Sequence, residues 1–232
     1  MDICKSITKR DHTAKTRGEA MYVGDYPTDD LLFGALLRST KARAKIKKIK
    51  LPPLPEGYLT VDKNDVPGEN SVKIVLDDTP VYAEDTVEYI GDPILMVVGP
   101  DEGEVERILS EIEVVYEELP PVLDIRKADT AFFDYHYEKG DIEKAFAEAD
   151  KIYEEEFETG YQEQAYMETQ GFIGEVRDGR VIVHGSMQCP YYIHTALAKV
   201  MGCEPNRIRV KQDVTGGGFG GKEDYPSILA SQ

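Results

Sequence analysis

The chain has 232 residues, 41% of them hydrophobic and 31% charged, enough apolar content for a packed core and against wholesale disorder. Its length suits one large domain or two ordinary ones. Lys and Arg number 27 against 44 Asp and Glu, and the resulting net charge of −17 argues against a general binder of nucleic acid or anionic membranes.

The charge is uneven. Residues 1–50 hold 12 basic and 6 acidic side chains, and the remainder is strongly acidic. The cluster Lys41, Arg43, Lys45, Lys47, Lys48 and Lys50 has no interleaved aromatics and is expected to form one solvated face. Three widely spaced cysteines, Cys4, Cys189 and Cys203, support neither a disulfide framework nor a structural zinc site. The opening residues are polar and the longest apolar run, Ile94–Val98, is too short for a bilayer, so a reducing cytoplasm is the expected compartment.

In chain order, residues 1–17 are expected to be an extended lead-in. Leu31–Leu37 reads as a buried strand or helix by periodicity. The three prolines in Leu51–Gly57 exclude a helix there. Val66–Asn70 is a turn signal, and Val87–Ile90 and Ile94–Val98 read as strands around Gly91-Asp92-Pro93. Asp101 caps a helix that runs to about Ser110, and Ile112–Tyr116 is a further strand. Residues 18–125 therefore form an α/β unit, followed by a linker over 126–140.

Asp141 caps a short helix with Ile142, Ala145, Phe146 and Ala149 on one face. Strands are expected over 151–158, Gly171–Val176 and Val181–Ser186, the last two joined by the hairpin signal Asp178-Gly179. Pro190–Met201 reads as a helix ended by Gly202. Ile208–Val214 is a strand that feeds into Gly216-Gly217-Gly218-Phe219-Gly220-Gly221-Lys222-Glu223.

Five glycines in six positions exceed what a turn demands and imply close backbone approach to a ligand. Two nucleotide patterns fit incompletely. The dinucleotide fingerprint lacks the acidic residue about 20 positions onward. The P-loop pattern has Glu223 where magnesium needs a hydroxyl, and that carboxylate would repel phosphates. Phe219 in mid-loop suits a planar or hydrophobic partner instead.

Thr215 to Glu223 resembles the glycine loop of the molybdenum hydroxylases, the xanthine dehydrogenase and aldehyde oxidase family. Gln162-Glu163-Gln164 to Glu168-Thr169 resembles that family's Gln-Glu-His-x-x-x-Glu segment, and Gly185-Ser186-Met187-Gln188 with the following helix its Ser-Thr-Gln segment. Arg10 to Asp25, Leu37 to Ile46 and Tyr116 to Pro120 resemble stretches of its α/β hammerhead domain. The likeness runs collinearly from about residue 10 to the last residue.

The resemblance implies an α+β chain: an α/β hammerhead domain over 18–125, then the incomplete first part of a molybdopterin-binding domain over 141–232. It implies molybdenum–molybdopterin shared with a missing chain segment, and 2Fe-2S clusters and FAD on partner domains or subunits. The reaction implied is hydroxylation of a purine or related N-heterocycle with oxygen from water. Gln188 aligns with a glutamine that hydrogen-bonds a metal ligand. Gly217, Gly218, Phe219 and Gly220 align with the loop beside the cofactor, and Glu223 with a substrate-orienting, catalytic glutamate. No residue of this chain is expected to ligate metal directly. Glu223 favours the purine branch over an aldehyde-oxidising one.

Gln164 departs from the family's histidine and removes a titratable group. The family's general-base glutamate and second substrate-orienting arginine lie downstream, so the chain is expected to be a shortened chain or one piece of a split subunit, inactive alone. The remaining half of the molybdopterin subunit is then a partner. A non-catalytic module that docks other subunits and a nucleotide-binding protein are the competing readings. His12, His136, His184 and His194 are expected at the surface or in packing, and Cys189 as a small buried thiol. Glu163 and Glu168 read as structural, Glu154–Glu156 as a solvated strand edge, and Tyr191 and Tyr192 as core or interface.

Overall fold

The computed structural model describes residues 4–27, 29 and 31–232; residues 1–3 of the expected lead-in lie outside these. The elements are α1 (His12–Thr16), β1 (Phe33–Arg38), β2 (Ala44–Lys50), β3 (Leu59–Val61), β4 (Ser71–Val72), β5 (Thr79–Pro80), β6 (Thr86–Val87), β7 (Pro93–Gly99), α2 (Glu102–Glu111) and β8 (Glu113–Glu118). They continue with α3 (Ile142–Glu148), β9 (Phe172–Arg177), β10 (Arg180–Gly185), α4 (Pro190–Val200), β11 (Ile208–Gln212) and α5 (Pro226–Ser231). Two compact units result: residues up to 119 together with 164–232, and residues 120–163.

In the larger unit, β1-β7-β3 and β6-β2-β8 are antiparallel three-stranded sheets, and β4-β5 is a short pair. β7 is buried along nearly its whole length and packs through Leu95 and Val97 on Val105 and Ile108 of α2. Asp101 caps α2 as expected, accepting from the Glu104 amide at 2.8 Å. The basic cluster on and beside β2 is exposed but not unpaired. Lys41, Lys47 and Lys50 meet Glu118, Glu117 and Glu113 of β8, and Arg43 meets Glu88. Cross-strand pairing of this kind selects register more than it adds stability.

Three expectations from sequence need correction. Residues 12–16 are helical rather than extended, held by the i,i+4 pair Asp11–Lys15 at 2.6 Å. The strand expected over 87–90 stops at Val87, because the Glu88 amide turns away to donate to Asp92 Oδ2 at 2.9 Å. Residues 151–158 form no strand, so Glu154–Glu156 are exposed without being a strand edge. No ladder partner lies beside them among the described residues, and an unpaired strand is not stable in water.

In the smaller unit, α3 forms on local signals. Asp141 accepts from the Lys144 amide at 2.9 Å, while Ile142 and Phe146 of its apolar face stay exposed.

The rest of the larger unit is the sheet β11-β10-β9 with α4 and α5. Asp178 and Gly179 sit at φ 52° and 68°, the two left-handed positions of a tight hairpin turn, as expected from sequence. β10 and β11 run parallel and are bridged by α4. Ile193 and Leu197 of α4 pack on Met187, Val183 and Ile208. The adjoining stripe of the helix, through Ala196 and Val200, packs on Val72, Val81 and Tyr82. Tyr191 and Tyr192, expected in a core or an interface, are exposed on this chain and so lie outside its core.

Candidate cofactor-facing loop

Parallel pairing places the ends of β10 and β11 side by side, with Gly185 opposite Gln212. Each strand then runs into one half of the site: Ser186-Met187-Gln188 from β10, and Thr215 to Glu223 from β11. The two exits are tied together. Gln212 Nε2 and Thr215 Oγ1 both donate to the Met187 carbonyl, at 2.7 and 3.2 Å.

Gln188 and the glycine loop form one hydrogen-bonded assembly. The Gln188 amide donates to the Lys222 carbonyl at 2.7 Å. Its side-chain Oε1 accepts from the amides of Gly220 and Lys222, at 3.1 and 3.2 Å. With the oxygen so engaged, the side-chain NH2 is the group left to donate, and it has no partner among the described residues. The backbone amides of Gly217, Gly218 and Phe219 likewise make no hydrogen bond within the described residues.

The protein itself also demands several of these glycines, in addition to the close ligand approach expected from sequence. A Cβ on Gly218 would stand 2.4 Å from Gln188 Oε1, and one on Gly216 would stand 2.5 Å from Glu168 Cβ. Gly217 and Gly220 have φ +97° and +94°. Only at Gly220 is the space beyond the Cβ position open. Phe219 is also left-handed, at φ 49°, and 77% exposed. A bulky residue held in that conformation with its ring in solvent is a strained feature of the kind that clusters at ligand sites.

Beneath the loop lies a buried charge network that the sequence reading passed over. Lys222 is fully buried. Its ammonium donates to Glu168 Oε2 at 2.9 Å and Ser186 Oγ at 2.8 Å, and stands 4.7 Å from the Tyr166 ring centre. Glu168 Oε2 also accepts from Ser186 Oγ and the Gly216 amide, both at 2.6 Å. Burial pushes the Glu168 pKa up, but these three donors outweigh it and leave the group below the usual carboxylate range. The only hint in the sequence is a lysine beside five glycines; its partner 54 residues earlier carries no local signal. The arrangement also removes the P-loop reading, since the lysine that would hold phosphate is neutralised inside the protein.

Glu223 is exposed at the loop's end, beside Cys189. Burial, and then the charges of Glu223 and Asp224, push the Cys189 thiol up, so it is not an activated nucleophile. His184 pairs with Asp213 at 2.7 Å and packs edge-on against Tyr26, a packing role as expected. No cluster of His, Cys, Asp and Glu suited to a metal ion occurs among the described residues.

Two family models match the chain. Residues 17–120 match "Aldehyde oxidase and xanthine dehydrogenase, a/b hammerhead domain", and residues 125–231 match "Molybdopterin cofactor-binding domain". The chain belongs to the molybdenum hydroxylase family. Its fold is that family's α+β arrangement, a hammerhead domain followed by molybdopterin-domain sequence. Xanthine dehydrogenase of Blastobotrys adeninivorans is 37% identical over 92% of this chain and 16% of its own length. A probable xanthine dehydrogenase subunit of Bacillus subtilis strain 168 is 31% identical over 97% of this chain and 33% of its own. The chain thus spans between about a sixth and a third of these relatives' length. Among solved structures, quinoline 2-oxidoreductase from Pseudomonas putida 86 superposes with a TM-score of 0.81 at 24% identity, covering 97% of this chain and 32% of that one. No helix among the described residues is long and apolar enough to cross a membrane.

Proposed function

We propose that this chain supplies the hammerhead segment and one wall of the cofactor site in a xanthine dehydrogenase-like hydroxylase. The reaction converts a carbon–hydrogen bond of a purine or related N-heterocycle and one water into the hydroxylated product, two protons and two electrons. Iron–sulfur clusters and FAD on partner domains or subunits take the electrons. Molybdenum–molybdopterin, when bound, supplies the oxygen-transfer and two-electron chemistry.

The observation that carries this reading is the Gln188–loop assembly. Its side-chain NH2 and three consecutive backbone amides have no partner among the described residues, and they belong to one hydrogen-bonded unit. Four neutral donors of this kind fit an electron-rich group such as a metal oxygen or a pterin, without adding charge beside it. The residues present therefore fit the cofactor that the family implies. Gln188, Gly217, Gly218 and Phe219 would hold it through those donors, and Gly220, whose amide braces Gln188 Oε1, would keep the side-chain NH2 free to donate. Glu223 would orient the heterocycle by accepting a hydrogen bond from a ring N–H, and its carboxylate sits at the exposed end of the same loop.

The test uses the full-length enzyme with its partners. Gln188→Ala is expected to lower kcat about 10–100-fold, the usual effect of losing a group that tunes a metal centre. Glu223→Ala is expected to lower kcat/KM for xanthine at least about tenfold, the loss of one charged hydrogen bond, with cofactor content unchanged. Full activity in both variants would replace this reading with a docking module.

A further inference from the structure

We infer that the buried Lys222–Glu168 pair is a clasp that closes the glycine loop and sets the orientation of Gln188. Glu168 grips the loop at both ends through one oxygen: it takes the Gly216 amide at the entry and the Lys222 ammonium at the exit. Its second oxygen, Oε1, is buried without a partner among the described residues, so the whole grip runs through Oε2. Ser186 bridges the two charges, donating to Glu168 Oε2 and accepting from Lys222. The backbone of Lys222 in turn bonds Gln188 twice, its carbonyl to the Gln188 amide and its amide to Gln188 Oε1. Tethering the Lys222 side chain therefore holds the peptide groups that decide which end of the Gln188 carboxamide faces outward.

The pair also cancels its own charge. An uncompensated ammonium or carboxylate under the loop would compete for the backbone dipoles that the loop presents to a ligand. Lys222 and Glu168 are thus positioning residues, acting on the site through Gln188 and the loop. The consequence for catalysis rests on the function proposed above; the consequence for loop order does not.

A double substitution separates positioning from simple structural support. Lys222→Met alone strands a buried carboxylate and is expected to lower Tm. Glu168→Gln with Lys222→Met keeps the volumes and removes both charges, so Tm should recover most of that loss. In the full-length enzyme, amide hydrogen exchange over residues 214–224 of the double variant should remain about tenfold faster than in the wild type, the loss of one charged hydrogen bond. Its kcat should stay about 10–100-fold low while KM changes little. Loop exchange that returns to the wild-type rate together with Tm would overturn the clasp. Faster exchange with unchanged kcat would leave the clasp standing and sink the proposed site instead. Should the double variant fail to accumulate, Glu168→Asp decides the matter: it keeps both charges but withdraws the carboxylate by one carbon from the Gly216 amide and the Lys222 ammonium, and wild-type loop exchange in it would overturn the clasp.

Discussion

Gly218 stands so close to Gln188 that an added methyl group would fall 2.4 Å from Oε1. Gly218→Ala should displace the Gln188 side chain and destabilise the larger unit by about 1–3 kcal/mol, the usual cost of overpacking, read from thermal or urea unfolding. Gly220→Ala makes a useful contrast. Its Cβ would meet open space, so only the strain of φ +94° opposes it, about 1 kcal/mol, and Gln188 should stay in place. A pH dependence belongs to this scale as well. Glu168 and Asp213 both titrate below the ordinary carboxylate values of 4.5 and 3.8 in the fold, despite burial, because hydrogen bonds and cations hold them ionised. A depressed folded pKa contributes stability above the unfolded value and loses it as pH falls through the folded one. Tm should therefore be level near neutrality in respect of these groups and drop as the solution is taken below about pH 4.5. A Tm that rises on acidification through that window would contradict the assignment.

At the scale of elements, the parallel pair β10 and β11 with α4 between them is the scaffold of the site. Ile193, fully buried at the centre of the core under this sheet, is the side chain whose removal should be felt most. Ile193→Ala should cost about 2–5 kcal/mol in unfolding free energy, and should loosen both strand exits together. Much of this scaffold can be read from sequence, since its signals are local. Asp178-Gly179 specifies the hairpin and Pro190 and Gly202 bracket α4; outside the scaffold, Asp101 and Asp141 cap α2 and α3 by the same kind of local signal. Elements that depend on a distant partner are less legible. The stretch at 151–158 holds the β-formers Ile152, Tyr153 and Phe157 but has no neighbour to pair with among the described residues, and the strand at 87–90 is cut short by a side chain of the next turn. The site divides in the same way. Gln188 and the loop announce themselves by composition and by family resemblance, and the structure brings them into contact. The clasp beneath them joins residues 54 apart, and only the fold brings those together.

At the scale of the larger unit, α4 is where the hammerhead elements and the glycine-loop elements meet. Its Ala196 and Val200 complete a core with Val72, Val81 and Tyr82. Lys199 reaches Asp77, Ser71 and Glu69, and the Gly68 amide donates to the Val200 carbonyl at 2.8 Å. A Cβ at Gly68 would fall 2.2 Å from the Lys199 carbonyl, so Gly68→Ala should separate the turn from the helix end and lower Tm, whereas a change at the open Gly24 should not. Within this unit the hammerhead elements and residues 164–232 are thus packed together, so the loop is carried on a core larger than its own sheet.

Gln188 and the glycine loop should face the cofactor as a single donor surface. A structure of the full-length protein purified with its molybdenum–molybdopterin tests this most directly. The Gln188 side-chain NH2 and at least one amide of Gly217, Gly218 or Phe219 should lie within about 3.2 Å of acceptor atoms of the cofactor. A cofactor seated elsewhere, with those four donors still lacking an acceptor, would contradict the account.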